Sequence, residues 1–400
     1  MYIILTALAC ICFVTLGGLV ISAKDNSVKP ETLDTKNFHV VNNFGLSLYK
    51  NLYNSMNNVF ISPVSLYLTL GMISNGAASN TQKQLLSFLY FSNTMVALNT
   101  FNKDMQSFII NNRPNTIIDI ASSIWINNSY KYVYSSFLNT NKTYYNSTIQ
   151  ALDFSNELAV DAINKWASDN TNGLIEQAIS QQLGPDVMMC LLNTVYFKAD
   201  WEIPFDKINT VKSDFISPKG KIQVDMMNID KYFNYYENNL FQMVSLPYKD
   251  GKTSLLIILP KDDIGSVENN FTADNFDEWI KSLTSQQVVL SLPKVSVQYK
   301  QGLKTALSAL GVSDMFDKEK ADFKNISQNN LFVSDVIHNT VLKIDELGTE
   351  AAAVAGLDVS LISIPDIPPK IMNVNKPFFL SIYDNSTELI LFEGSITNPQ

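Results

Sequence analysis

Apolar residues recur at two spacings along the chain. In residues 38–54, Phe38, Val41, Phe44, Leu48 and Leu52 share one side of a 3.6-residue period, which predicts an amphipathic helix. Ser62 and Pro63 mark a second helix start, with the serine as cap and the proline in the first turn; Leu66, Leu70 and Ile73 continue it. Residues 160–168 and 302–310 predict two more helices. Alternating or continuous apolar runs predict strands at 187–197, 253–259, 288–292, 341–344, 378–382 and 389–392. This mixture suggests an α+β class, antiparallel sheets covered by helices. Residues 24–37 are polar and read as extended. After them no Pro/Gly/Ser-rich linker, charge block or internal repeat divides the chain, so residues 38–400 read as one domain.

Composition narrows the function. Of 400 residues, 46% are hydrophobic and 17% charged, which excludes disorder. The net charge is −9 and Arg113 is the sole arginine, so nucleic acid is excluded as a partner. Two histidines, His39 and His338, and three cysteines leave no room for a disulfide scaffold and little for a histidine-based relay, so no metal, cofactor or catalytic residue is expected. Residues 2–23 carry no charge, and Lys24 ends the run. Residues 1–23 therefore read as a signal peptide closing on Ser22 and Ala23, or as an uncleaved anchor, in which case the chain would meet a membrane. Six N-glycosylation sequons follow, at Asn127, Asn141, Asn146, Asn270, Asn325 and Asn385, and with the leader they point to a secreted or surface-anchored glycoprotein. Cys10 and Cys12 lie in the leader, and Cys190, in an apolar run, reads as an inert core residue.

Residues 341–380 carry the functional signal. The segment begins and ends as a strand, and between lie 27 residues, Gly348 to Val374, with prolines at 365, 368 and 369. A connection of that length in a compact body is usually functional. Thr349, Ala351, Ala353, Ala355, Leu357, Val359 and Leu361 alternate with Glu350, Ala352, Val354, Gly356, Asp358 and Ser360, the pattern of a strand with one buried face. The alanines also permit a helical turn. A segment that can be either an exposed loop or a central strand has what a switch requires.

Five motifs, in order, resemble the serpin family. Residues 59–77 (VFISPVSLYLTLGMISNGA) resemble the element beneath the opening of that family's central sheet. Asn164-Lys165-Trp166, with Thr171, Gly173 and Ile175, resembles the helix that crosses the sheet. Residues 193–201 (NTVYFKADW) resemble its NxxYFKGxW strand, with Ala199 in place of glycine. Residues 345–353 (DELGTEAAA) resemble the hinge of inhibitory members, and Asn375-Lys376-Pro377-Phe378-Phe379 the strand after the reactive loop. The resemblance covers about His39 to Pro399 and implies three β-sheets, eight or nine helices and an exposed reactive-centre loop at about 348–374.

It also implies a mechanism. A serine protease cleaves the loop and is acylated. The loop then inserts into the central sheet and traps the covalent complex, the chain acting as a monomer and not as an enzyme. About ten new ladder hydrogen bonds, each worth roughly 0.5–1.5 kcal/mol, would supply on the order of 10 kcal/mol, so the uncut form would be metastable. The hinge would comprise Glu346, Gly348, Thr349, Glu350, Ala351, Ala352 and Ala353, with Gly348 serving for its backbone freedom. Ser62, Asn193, Trp201 and His338 would govern sheet opening. By family spacing the reactive bond joins Ile362 and Ser363, with Leu361, Ile364 and Asp366 as alternatives, since the stretch after Ser363 is longer than usual. No Lys or Arg lies between Lys343 and Lys370, which favours a chymotrypsin-like or elastase-like target. A non-inhibitory carrier or chaperone of the same family is the alternative.

Overall fold

The strand Met189–Asp200 holds one of the longest apolar runs of the sequence and lies inside a six-stranded sheet, buried along almost its whole length. The computed structural model describes residues 36–91, 94–111, 113–130, 132–184, 186–349 and 368–400. The leader, the hinge residues Glu350, Ala351, Ala352 and Ala353, and the reactive-bond candidates Leu361, Ile362, Ser363, Ile364 and Asp366 lie outside the described residues.

The six-stranded sheet runs in the order Val295–Gly302, Val333–Ile344, Gly348–Thr349, Met189–Asp200, Thr116–Asn127, Thr148–Leu152. Val333–Ile344 also pairs directly with Met189–Asp200, in parallel, from Val333 opposite Met189 to Thr340 opposite Val195. The second sheet has nine strands. Its 18-residue strand Gly220–Glu237 pairs with Val211–Ser217 near its start, Thr284–Pro293 along its middle and Phe241–Pro247 at its end. This strand merges two of the three expected sheets into one hydrogen-bonded network. Nine α-helices accompany them among the described residues.

The helix Pro63–Ser74 is buried at all 12 positions and packs on both sheets, against Ile390–Ile396, Met189–Asp200 and Thr116–Asn127. A helix apolar all round belongs in a core. Ser62 caps it, its hydroxyl accepting from the Ser65 amide (3.3 Å), with Pro63 in the first turn. The opposite face of the six-stranded sheet is covered by Leu158–Asp169, where Ile163 and Ala167 pack with Trp125 and Leu192, and Trp166 meets Trp125 edge-on at 6.0 Å. The first helix starts at Lys36, so residues 36 and 37 are helical, where the sequence suggested extended chain. Among the described residues no helix is long and apolar enough to cross a membrane.

Candidate functional site: the seam of the six-stranded sheet

Above Thr340 and Val195 the two central parallel strands part. Gly348–Thr349 fills the gap as a two-residue strand, Thr349 pairing antiparallel with Ile344 on one side and Ala199 on the other. The chain reaches this slot through a tight turn in which the Asp345 carboxylate accepts from the Leu347 amide (2.8 Å) and the Asp345 amide donates to the Gly348 carbonyl (2.9 Å). Gly348 is extended here. A Cβ on it would overlap the Ala199 carbonyl oxygen and stand 2.7 Å from the Asp200 Cα. Close approach of two backbones demands this glycine, and the backbone freedom expected from the sequence is not what it supplies.

Trp201 holds the turn from outside. Its indole Nε1 donates to the Asp345 carbonyl (2.9 Å) and its backbone amide to the Leu347 carbonyl (2.8 Å). Its ring stacks on Tyr248 at 4.6 Å, and the Tyr248 hydroxyl lies 2.6 Å from that of Thr349, which is only 2% exposed. Glu346 is also buried. Thr210 donates to its Oε1 and Lys294 to its Oε2, both at 2.9 Å. Burial pushes the Glu346 carboxyl toward neutrality, but Lys294, a backbone amide and Thr210 together outweigh it and hold its pKa below the usual value. Lys294 is the single residue between Thr284–Pro293 of one sheet and Val295–Gly302 of the other, so Glu346 ties the turn before Gly348 to the junction of both. Glu346→Ala is expected to lower stability by about 2 kcal/mol and to speed limited proteolysis near the hinge. Unchanged melting and cleavage rates would show that the tie is idle.

Below the gap, His338 and Asn193 face each other in register. His338 Nε2 accepts from the Ser62 backbone amide (3.1 Å), so its proton sits on Nδ1 and is donated to Asn193 Oδ1 (2.8 Å). Ser65 Oγ donates to the same Oδ1, and Asn193 Nδ2 lies 3.1 Å from both Thr69 Oγ1 and Ser122 Oγ. Asn193 thereby joins both central strands, the strand Thr116–Asn127 and the buried helix. Complete burial lowers the His338 pKa to about 3. The sign follows: between pH 6.5 and about 3 the unfolded chain binds a proton that the folded chain refuses, so His338 destabilises the fold as pH falls through that window.

The expected sheet-opening residues thus separate into two places. Ser62, Asn193 and His338 are brought together, Ser62 acting through its backbone amide, whereas Trp201 holds the turn at Asp345–Gly348. Ser65, Thr69 and Ser122 complete the lower network, and Tyr248, Thr210 and Lys294 the hinge; sequence reasoning missed all six. Ser62, Ser65 and Thr69 did carry a signal, being polar positions at helical spacing in an otherwise apolar helix.

The sequons divide by burial. Asn146 and Asn385 are exposed, and Asn270 is half-buried. Asn325 is exposed, but its amide nitrogen donates to the Ala77 carbonyl (2.9 Å). Asn127 and Asn141 correct the expectation: they are 4% and 0% exposed, and their amide nitrogens donate to the Val187 and Phe137 carbonyls. A glycan on either would displace core packing. Cys190 is buried and its thiol is pushed up to about 12, by burial first and then by Asp335, in keeping with an inert residue.

Comparison with known proteins agrees with this architecture. Residues 39–399 match the family model described as serpin (serine protease inhibitor). Human neuroserpin is 29% identical over 371 residues, spanning 88% of this chain and 90% of its own. The native structure of tengpin, a thermophilic serpin, has a TM-score of 0.86 at 31% identity, covering 93% of this chain and 97% of its own. Human thyroxine-binding globulin complexed with thyroxine has a TM-score of 0.84 at 29% identity, covering 92% and 99%.

Proposed function

Since the chain belongs to the serpin family, we propose that it inhibits a serine protease as a suicide substrate, the part of its loop from Gly348 to the cut bond entering the six-stranded sheet after cleavage. At the far end of the expected 348–374 loop, Lys370–Asn373 is instead a strand of the nine-stranded sheet. One observation carries this reading: Gly348–Thr349 already pairs with both flanking strands, and these keep one offset from Ile344 opposite Ala199 down to His338 opposite Asn193. An antiparallel strand that continued from Thr349 would therefore stay in register with both. Ala353 would come to lie between Thr340 and Val195, and Ala355 between His338 and Asn193. Thr349, Ala351, Ala353 and Ala355 would all share the face that packs on Pro63–Ser74, where large side chains have no room and these four cost little.

The reactive bond in this reading is Ile362–Ser363, with Leu361, Ile364 and Asp366 as neighbouring choices. The apolar residues favour a chymotrypsin-like or elastase-like protease. Export is part of the proposal; the uncharged run at 2–23 and the exposed sequons at Asn146 and Asn385 support it. Incubation with elastase and chymotrypsin tests the whole reading. The expected result is an SDS-stable complex and a released peptide whose mass begins at Ser363. Cleavage with no complex would overturn it and leave the carrier or chaperone alternative.

A further inference from the structure

Away from the seam, the most anomalous residue in the core is Glu393. It lies in the strand Ile390–Ile396, 0% exposed, opposite Ile61 on one neighbouring strand and Ser381 on the other. Neither carboxyl oxygen has a hydrogen-bond partner. Around it stand three more fully buried hydroxyls, of Tyr49, Ser381 and Ser395, of which Tyr49 and Ser395 interact with each other and none bonds the carboxyl. Ser381 is its cross-strand partner, Ser395 is two residues along on the same face, and Tyr49 and Gly45 come from the helix Lys36–Leu52. A Cβ on Gly45 would overlap the Pro63 ring and lie 2.8 Å from Glu393 Oε1. This helix-interior glycine therefore makes room for the carboxyl, at a cost in helix propensity of about 1 kcal/mol.

An ionised carboxylate in such a place needs a cation. Among the described residues Glu393 forms no ion pair, and Lys50 is the positive group that acts on it, weakly against its burial. The other elements against it add no charge: Ile61 and Pro63 are apolar, and Ser381 and Ser395 do not titrate in this range. Tyr49, on the same helix, is itself held protonated by burial, with Tyr53 and Glu268 reinforcing that. An unpaired charge in an apolar interior neutralises instead of persisting.

We propose that Glu393 is a neutral carboxylic acid in the folded protein and that folding takes up one proton there, so that the fold weakens as pH rises. The folded-state carboxyl is held well above its ordinary value, by burial. The unfolded chain ionises at the ordinary value near 4.5. Glu393 therefore stabilises fully below that value, and this stability drains away as pH rises toward the folded-state pKa. The sign opposes that of His338, whose effect ends at pH 6.5. Between pH 4.5 and 6.5 the two largely offset each other, and above 6.5 Glu393 acts alone of the pair.

The test is urea unfolding of the full chain and of Glu393→Gln between pH 6.5 and 8. Relative to the variant, the wild-type unfolding constant is expected to rise about tenfold per pH unit, the slope of one proton. Parallel profiles would overturn the proposal. Glu393→Met, similar in length and never charged, serves if the glutamine variant fails to fold. Infrared difference spectra of the folded proteins give a second readout that survives irreversible unfolding. A protonated-carboxyl C=O band at pH 7 that vanishes in either variant supports the proposal, and its absence from the wild type overturns it.

Discussion

Thr349→Arg should turn the protein from an inhibitor into a substrate, with the number of inhibitor molecules consumed per protease inactivated rising at least tenfold. Thr349 is 2% exposed and held between Ile344 and Ala199, its hydroxyl against Tyr248. A guanidinium in this slot would be desolvated, and a buried charge without a well-placed partner costs several kcal/mol. The resting hinge strand would leave its slot. After cleavage the same residue would be the first to re-enter, and each 1.36 kcal/mol added to that barrier slows entry tenfold. The acyl-enzyme would then hydrolyse before it is trapped. Thr349→Val keeps the volume and loses only the hydroxyl, so it should stay near wild type. Gel titration against elastase reads both. A Thr349→Arg protein with wild-type stoichiometry would remove the hinge strand from the mechanism.

Asn193→Ala should carry the largest stability cost, about 4 kcal/mol, with melting roughly 5 °C lower. The substitution strands His338 Nδ1–H and the Ser65 hydroxyl, both of which donate to Asn193 Oδ1, and removes the donor that serves Thr69 and Ser122. His338, Ser65 and Thr69 are fully buried in the closed sheet, and only Ser122 lies partly open. The seam should also open more readily. A synthetic peptide with the sequence of residues 349–360 should therefore enter the uncleaved variant faster than the wild type. Equal melting and equal uptake would mean that the sheet is closed by its ladder alone.

Much of the scaffold was legible because its signals are local. The Ser62 cap, the apolar run before Asp200 and the helix starting near Phe38 each follow from short-range spacing, and the structure places all three within a few residues. The helix Ala273–Lys281 was overlooked despite a usable signal, the Thr272 cap and buried Phe276 and Trp279. The strand Gly220–Glu237 was harder, since Asp225, Asn228, Asp230 and Lys231 interrupt any apolar run. What stayed hidden was long-range. Nothing near Tyr248 announces Thr349, 101 residues on, and nothing near Lys294 announces Glu346. The resemblance named Gly348 correctly, but its reason lies in the Ala199 carbonyl, which only the folded chain brings near.

In the proposed mechanism the two-residue strand at Gly348–Thr349 would also change what limits the trap in time. Pairing a new strand normally begins with a slow search for register, and here that nucleus exists before any protease arrives. What remains after cleavage is zippering, which for short β structure takes on the order of microseconds. A protease turning over at about 10 s⁻¹ leaves roughly a tenth of a second before deacylation. In the proposed mechanism the inserting strand must first part the central ladder, at Thr340 and Val195 and then at the 2.8 Å bond between His338 and Asn193. A chain poised this way would trade a kinetic search for a mechanical one, its timing set by how readily the seam opens.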